Sequence, residues 1–344
     1  MAKKGRIGSG DAGAREARVA SVMIANLPEL TDRSRVLVVE DLDGHVFDHV
    51  RAAGARVERW SRVCSGDVPG AVWPPEGPFD LVLMRLPRAK EVLEYALHAI
   101  AASLGPKGQV FVYGSNDEGI KSADKRVKAL FRGVKTVATK SHCRVISARF
   151  DPKAAPKRSI EEFRAEVPSP IGEEKGWVYF PGVFARGKLD VGTKMLCEAL
   201  PGYGAGERVL DFAAGAGVIS GYIQAREPGV ELTMLEADAV ALEAARLNVP
   251  GARVVLSDAW SAIAPSDRFD HIVSNPPIHR GKSEDYTALH ALIERAPSSL
   301  VPGGTLTLVI QRQISIEPLF DAYQSVEVVA QDTRFRVWRA QTRG

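Results

Sequence analysis

Cysteine is scarce: Cys64, Cys143 and Cys197 are the only three in 344 residues. An odd, widely spaced set supports neither a disulfide framework nor a zinc site, and it suits a reducing cytoplasm. Long apolar runs are missing as well. None approaches the roughly 18–20 residues that a membrane-crossing helix needs, so no membrane partner is expected. The first residues are basic (Lys3, Lys4, Arg6) without an apolar stretch behind them, so no secretory leader is expected and the compartment read from the sequence is cytoplasmic. Neither sign of charge dominates: 45 Lys+Arg against 42 Asp+Glu leaves +3, too little by itself to demonstrate a nucleic-acid partner. Also absent are H-E-x-x-H or clustered Cys/His spacings, so no metal is expected, and the G-x-S-x-G of a hydrolase elbow. What remains is 45% hydrophobic and 25% charged, which excludes a mainly disordered or collagen-like chain. At this length two domains are the natural expectation.

Residues 1–16 are small, polar and basic and read as a disordered tail. A helical pattern begins near 17–29. Short β-branched runs then alternate with amphipathic stretches. Arg35–Glu40, Arg56–Trp60, Asp80–Arg85 and Gln109–Tyr113 read as strands, and Glu91–Ser103 and Ile120–Phe131 as helices. Residues 151–170 carry four prolines, mixed charge and little apolar content, and read as a linker between domains spanning 17–150 and 171–344. The alternation then restarts with helix Val191–Leu200, strand Arg208–Phe212, helix Val218–Arg226, strand Glu231–Leu235 and helix Ala239–Leu247. Strands Arg253–Leu256, His271–Ser274 and Thr305–Ile310 follow, with a terminal hairpin from Ser325–Ala330 and Phe335–Arg339. The halves also resemble each other. RVLVVEDLDG (35–44) parallels RVLDFAAGAG (208–217), FDLVLMRLP (79–87) parallels FDHIVSNPP (269–277), and LGPKGQVFVYG (104–114) parallels LVPGGTLTLVI (300–310). Three marks in the same order predict tandem copies of one α/β fold, each a mostly parallel sheet flanked by helices.

Three segments carry chemistry. The first is Asp211 followed by Ala213, Gly215 and Gly217, a turn that leaves a strand and opens a helix. Such a turn lets backbone approach a ligand, and the helix start offers free N–H groups. The spacing is not the G-x-G-x-x-G of a dinucleotide site, and an acid at the strand end would repel phosphate but suit an amino group, which points toward S-adenosylmethionine. A ligand-free strand–helix turn would carry similar residues. The second segment is the pair of acids after the next two strands. Glu236 stands 19 residues beyond Gly217, near the interval at which such folds place an acid on ribose hydroxyls. Asp258 could accept from an adenine amino group. The third is Ser274-Asn-Pro-Pro-Ile-His-Arg-Gly-Lys282. Pro276 and Pro277 have no N–H, leaving carbonyls beside the Asn275 carboxamide as acceptors for a planar –NH2 group. Methylating such an amine requires orienting its delocalised lone pair and stabilising developing positive charge, which positioning and electrostatics supply without a strong base.

DFAAGAG, Glu236, SDAW and SNPPIHRGK resemble the class I S-adenosylmethionine-dependent methyltransferases. Within them, N-P-P-x-H-x-G resembles the RsmC/RlmG family of ribosomal RNA guanine-N2 methyltransferases. PGVFARGKLDVGTKMLCEAL (181–200) and SNDEGIKSA (115–123) resemble that family's other segments, so the likeness covers nearly all the chain after the tail. The resemblance implies two tandem Rossmann-like domains with an antiparallel C-terminal hairpin, of which only the second keeps the motifs. It implies a cofactor loop at Asp211, Gly215 and Gly217, a ribose acid at Glu236, adenine contacts at Asp258 and Ala259, and an amine-holding run at Asn275, Pro276 and Pro277. It also implies a ribosomal RNA or ribosomal-subunit partner, with small-subunit RNA as the expectation; the sequence leaves the oligomeric state open, with a monomer expected. Two residues depart from the pattern. Ala213 replaces the usual first glycine, so the cofactor fits less closely or the turn keeps φ negative. Ile278 replaces the Phe or Tyr that stacks on the base, which forfeits part of the ~1–3 kcal/mol per base that aromatics supply.

In the first half Arg85 stands opposite Asn275, and EDLDG opposite the glycine loop. An Arg cannot accept an amine hydrogen bond, so this half reads as non-catalytic. It is strongly basic: nine Lys/Arg against one acid, Asp124, lie between Lys121 and Arg149. Lys121, Lys125, Lys128 and Arg132 recur at helical spacing, as a phosphate-contacting stripe would, or a merely solvated face. His279 is either a substrate contact or a turn residue bonded to backbone. Adenine N6 or a protein glutamine amide would suit N-P-P as well, and a non-catalytic RNA-binding assembly protein is the reading from another class.

Overall fold

Runs such as Arg35–Val39 become strands because both their faces are covered, as the near-continuous apolar content of parallel strands requires. A computed structural model describes residues 9–172, 176–280, 283–284 and 286–344. The chain divides into two compact units: the chain up to Arg62 with Asp67–Phe163, and Val63–Gly66 with Arg164–Gly344. Among the described residues no helix is long and apolar enough to cross a membrane.

The first unit runs α1 (Ser9–Ile24), β1 (Arg35–Val39), α2 (His45–Ala52), β2 (Arg56–Trp60), β3 (Phe79–Arg85), α3 (Lys90–Ser103), β4 (Leu104–Ser115), α4 (Ile120–Val127), β5 (Phe131–Lys140) and β6 (Cys143–Phe150). Its sheet has the order β2-β1-β3-β4-β6-β5, parallel through β4 and antiparallel beyond it. Val36 and Val38, Leu81 and Leu83, Phe111 and Tyr113, and Cys143 and Val145 alternate onto one face, packed with Val19, Met23, Val46 and Val50 of α1 and α2.

Three expectations change here. The tail read as disordered is helical from Ser9, while residues 1–8 lie outside the described residues. Glu16 pairs with Arg85 at 2.7 Å and Val19, Val22 and Met23 are buried, so tertiary contacts order a segment whose own composition does not. The helix expected over 120–131 stops at Val127. Leu130 and Phe131 turn into the core and the chain enters the β5–β6 hairpin, where no strands were expected. Arg132 therefore sits on β5 and leaves the helical stripe. Dense Lys and Arg obscured the pattern because β5 is a solvated edge strand, where such residues are favoured.

The segment read as a linker is partly structured. It holds a 3-10 turn at Ile160–Phe163 and β7 (Ala165–Val167), which pairs with β8 (Trp177–Tyr179). The second unit continues through α5 (Val191–Ala199), β9 (Arg208–Phe212), α6 (Val218–Arg226), β10 (Glu231–Glu236), α7 (Ala239–Asn248), β11 (Arg253–Leu256) and β12 (Phe269–Ser274). It ends with β13 (His279–Arg280), β14 (Ser283–Glu284), α8 (Thr287–Ser299), β15 (Leu300–Gln311), β16 (Ser325–Gln331) and β17 (Phe335–Gln341). The sheet order is β11-β10-β9-β12-β15-β17-β16, with only the β15–β17–β16 end antiparallel. Leu210, Ile272, Leu306 and Leu308 pack with α8 on one face. Val209, Val273 and Val309 pack with residues of α5, α6 and α7 on the other.

The internal repeat is visible in backbone detail. Arg35 N–H donates to Asp80 Oδ2 at 2.9 Å, and Arg208 N–H donates to Asp270 Oδ2 at 2.9 Å. Directly after the first strand of each sheet stands a non-glycine residue in the left-handed region, Glu40 (φ 58°) and Ala213 (φ 61°). Gly44 and Gly217 then cap α2 and α6 with φ 73° and 82°. The first sheet lacks a counterpart of β11, which shortens the interval between the first two marks in that half.

Candidate active site

In the second sheet β11, β10, β9 and β12 are neighbours, so the residues after their carboxyl ends line one edge. The chain order reverses between β9 and β12, and open α/β sheets bind ligands at such a point. Gly217 shows why the first loop needs glycine: its φ is +82°, and an added Cβ would meet Val249 at 3.0 Å and Met234 at 3.1 Å. Ala213 keeps the left-handed conformation, at a cost of about 1 kcal/mol for an L residue, so of the two consequences drawn for this departure a negative φ is ruled out.

Asp211 lies beneath the turn and is fully buried. Its Oδ2 accepts from the Ser220 N–H at 3.1 Å and the Ser220 hydroxyl at 2.8 Å, which ties the strand end to the first turn of α6. Oδ1 is buried without a partner among the described residues. Burial raises the carboxyl to about 7 against the opposing Ser220 bonds, with the Glu236 charge adding to the rise. Glu236 holds the turn from the next strand. Its Oε2 accepts from Gly215 N–H at 2.9 Å, and its Oε1 from Ala237 and Asp238 N–H at 2.8 and 3.0 Å. Burial and the Asp238 charge push this carboxyl up, against three N–H donors that hold it down. Asp258 and Ala259 are half-buried after β11, and Asp258 Oδ2 accepts from the Gly66 N–H at 2.8 Å.

Asn275 follows β12, next to the loop strand, where Ser274 Oγ donates to the Phe212 carbonyl at 2.7 Å. Its Nδ2 donates to Thr193 Oγ1 at 2.8 Å and to Asp190 Oδ2 at 3.2 Å. Oδ1 has no hydrogen-bond partner among the described residues, so the carboxamide presents an acceptor. Asp190 is the N-cap of α5 and also accepts from Thr193 N–H at 3.1 Å. Sequence reading missed both residues as site components; the D-x-x-T spacing signalled only a helix start. Pro276 is buried and Pro277 exposed. Ile278 is half-buried and packs against the cluster containing Phe212 and Trp260, so part of its surface is committed to the core. His279 lies on β13, and its side chain lies outside the described residues. No group of three or more His, Cys, Asp or Glu among the described residues is placed to hold a metal ion.

The counterpart of Asn275 in the first unit is filled. Arg85, 8% exposed, donates to Glu16 at 2.7 and 2.8 Å and to Glu118 at 2.7 and 2.9 Å. Elsewhere in that unit Lys121 and Lys125 stand one turn apart on α4 and Lys128 follows as its C-cap, all exposed. Arg132 instead faces Arg149 across the hairpin, and Arg149 faces Gln109 on β4. With Lys107 these residues line one groove.

A glycine turn, two acids beside it and a carboxamide whose oxygen has no partner among the described residues are groups that can hold a cofactor and a planar amine, and they stand along one sheet edge. The Methyltransferase small domain family model matches residues 177–339, and the Methyltransferase small domain N-terminal model matches residues 27–164. The chain is 36% identical over 277 residues to Ribosomal RNA small subunit methyltransferase C of Pseudomonas entomophila (strain L48), covering 78% of this chain and 81% of the relative. It is 34% identical over 275 residues to the protein of the same name from Pseudomonas aeruginosa (strain UCBPP-PA14), covering 77% and 80%. A solved structure of the T. thermophilus 16S rRNA N2 G1207 methyltransferase (RsmC), in complex with AdoMet and guanosine, superposes with a TM-score of 0.81 at 25% identity, covering 95% of this chain and 92% of that one. Fold, paired domain matches and similarity along the chain agree: this protein belongs to the ribosomal RNA small subunit methyltransferase C family.

Proposed function

We propose that this protein transfers a methyl group from S-adenosylmethionine to the exocyclic N2 amine of a guanine in small-subunit ribosomal RNA. The observation that carries the reading is the Asn275 carboxamide, held through its –NH2 by Thr193 and Asp190 with its oxygen left without a partner among the described residues. S-adenosylmethionine, when bound, supplies an electrophilic methyl carbon on a sulfonium centre. The turn from Ala213 to Gly217 would lie against it, Glu236 would accept from the ribose hydroxyls, and Asp258 with Ala259 would take the adenine. The unpartnered Asp211 Oδ1 beneath the turn supports a site built for a ligand with positive charge.

The residues of this chain orient the amine. Asn275 Oδ1 accepts one N–H, and the carbonyls of a backbone stiffened by Pro276 and Pro277 are the acceptors for the other. Two acceptors set the direction of the nitrogen lone pair and stabilise the positive charge that grows on it. The methylated nitrogen is acidic and gives its proton to water, so no base is needed. Ile278 offers an apolar face to the base and His279 lies beside it in sequence. The first unit is read as non-catalytic, because the Arg85 guanidinium, held by two glutamates, has no acceptor to offer. Lys121, Lys125, Lys128 and Arg132 are read as contacts to RNA phosphates. Three unpaired thiols suit a cytoplasmic setting.

Transfer of labelled methyl to RNA of subunits lacking native methylation, with nucleoside analysis of the product, tests the reading. N2-methylguanosine supports it, and N6-methyladenosine would replace the base assignment. Transfer only to protein would move the substrate to a glutamine amide. No transfer by a protein that binds the cofactor would leave an RNA-binding assembly factor.

A further inference from the structure

Val63–Gly66 folds with the second unit although the rest of that unit begins only at Arg164. Three contacts hold these four residues across the carboxyl ends of β10 and β11. Val63 forms an antiparallel bridge with Asp238. The Cys64 N–H donates to the Ala237 carbonyl at 2.9 Å. The Gly66 N–H donates to Asp258 Oδ2 at 2.8 Å. Ala237 and Asp238 are the residues whose own N–H groups fix Glu236 Oε1. The strap therefore touches the backbone that orients one pocket acid and the side chain of the other. Burial and the charges of Asp258, Glu236 and Asp238 push the Cys64 thiol up to about 11, which reflects its closeness to all three carboxylates.

A backbone N–H on one oxygen of a half-exposed carboxylate stops the group from rotating. The oxygen already bonded to Gly66 becomes the poorer acceptor for a second donor, and Oδ1 accepts in a fixed direction. An adenine 6-amino group donates there, whereas a 6-oxo purine presents an acceptor and is repelled. Gly66 has φ +55° and open space around the position of a Cβ, so its glycine serves the backbone conformation that aims this N–H.

We propose that the Val63–Gly66 strap is a positioning element of the cofactor site, in which the Gly66 N–H locks Asp258 so that its other oxygen selects a 6-aminopurine nucleoside. The proposal rests on the reading of Asp258 as the adenine acceptor. Its test uses full-length protein, with S-adenosylhomocysteine and the analogue carrying inosine in place of adenosine as ligands, and calorimetry as the readout. Gly66→Pro removes the donor and Asp258→Ala the acceptor. Each variant is expected to lose about tenfold in affinity for S-adenosylhomocysteine, together with most of the preference over the inosine analogue. The double variant should bind no worse than Asp258→Ala alone, because both changes remove one interaction. Gly66→Pro should raise the KM for S-adenosylmethionine while kcat stays within about twofold. Additive losses, or lost affinity with the base preference intact, would overturn the proposal.

Gly66→Pro also shifts the backbone, so the unaltered protein supplies a second measurement. Hydrogen exchange of the peptide carrying Cys64 and Gly66 should slow when S-adenosylhomocysteine binds, and unchanged exchange would overturn the strap. A wild-type protein that binds both nucleosides equally refutes the strap and leaves methyl transfer standing. One that binds neither refutes the cofactor reading itself, and the strap with it.

Discussion

At Asn275 the two ends of one carboxamide are treated differently: the nitrogen is spent on Thr193 and Asp190, and the oxygen has no partner among the described residues. Asn275→Ala should lower kcat by roughly two to three orders of magnitude, the range seen when one oriented transition-state contact is removed, while cofactor affinity measured by calorimetry stays unchanged. Ala213 makes a different kind of prediction. Its left-handed φ is strained for alanine and free for glycine. Ala213→Gly should stabilise the protein by about 0.5–1 kcal/mol in urea unfolding, even though glycine loosens the unfolded chain. Asp211 predicts a pH dependence. Burial raises its carboxyl from 3.8 to about 7, so between those values the folded state binds more protons than the unfolded state. Stability from this group is complete below the lower value and is lost as pH rises through the upper one. Replacing the acid by its amide removes that loss. Urea unfolding at about pH 5 and pH 8 should show Asp211→Asn gaining on the wild type by on the order of 2 kcal/mol or more at the higher pH. The glycine turn, Glu236 and the N-P-P run were legible as residues because each acts over a few neighbouring positions. The orientation of the carboxamide was not, since its partners stand 82 and 85 positions away.

Among the elements, the helix preceding each sheet makes the comparison that matters. In both units it carries partners of the residue at the carboxyl end of the corresponding strand, β3 or β12. In the second unit Asp190 and Thr193 at the start of α5 hold Asn275; in the first, Glu16 of α1 holds Arg85. One contact thus engages a carboxamide through its nitrogen and the other an arginine through an ion pair. Burial alone would raise Glu16, but the bond and charge of Arg85 outweigh it and hold the carboxyl below its usual range. The stabilisation is accordingly present above the ordinary range of Glu and lost on acidification. Arg85→Ala would leave Glu16 and Glu118 facing each other with their main counter-charge gone. It should cost about 3–5 kcal/mol in urea unfolding and free α1 to exchange its amide hydrogens faster. Most strands were readable because apolar runs between turns survive as strands in any parallel sheet. The β5–β6 hairpin and the early start of α1 were not, because a solvated edge and an ion pair leave no apolar periodicity.

For the molecule as a whole, the two units repeat a backbone plan and differ in the charges they carry on it. The first carries exposed Lys121, Lys125, Lys128 and Arg132, and its hairpin sets Arg132 opposite Arg149 beside Lys107. Like charges facing each other across strands repel, and a polyanion relieves that repulsion. Reversing Arg132 and Arg149 to Glu should weaken binding to ribosomal RNA and lower the slope of log K against log salt by about 1–2, with cofactor affinity unchanged. Filter binding across a salt series checks both parts, and an unaltered slope would remove the hairpin from the RNA surface.

From the sequence alone follow the tandem α/β plan, the loop that leaves β9, the acid at the end of β10 and the N-P-P run after β12. Each depends on interactions between near neighbours, such as a strand's apolar run, a glycine's positive φ or a proline's missing donor, and these are written in spacing. Tertiary structure decided what those residues do with their remaining bonds. It placed Asp211 under the turn, tied the Asn275 nitrogen to Thr193, sealed Arg85 between two glutamates and brought Gly66 onto Asp258 from 192 positions away. Hydrogen-bond partners are chosen by distance in space, and where the fold brings remote segments together, spacing along the chain carries no record of the choice.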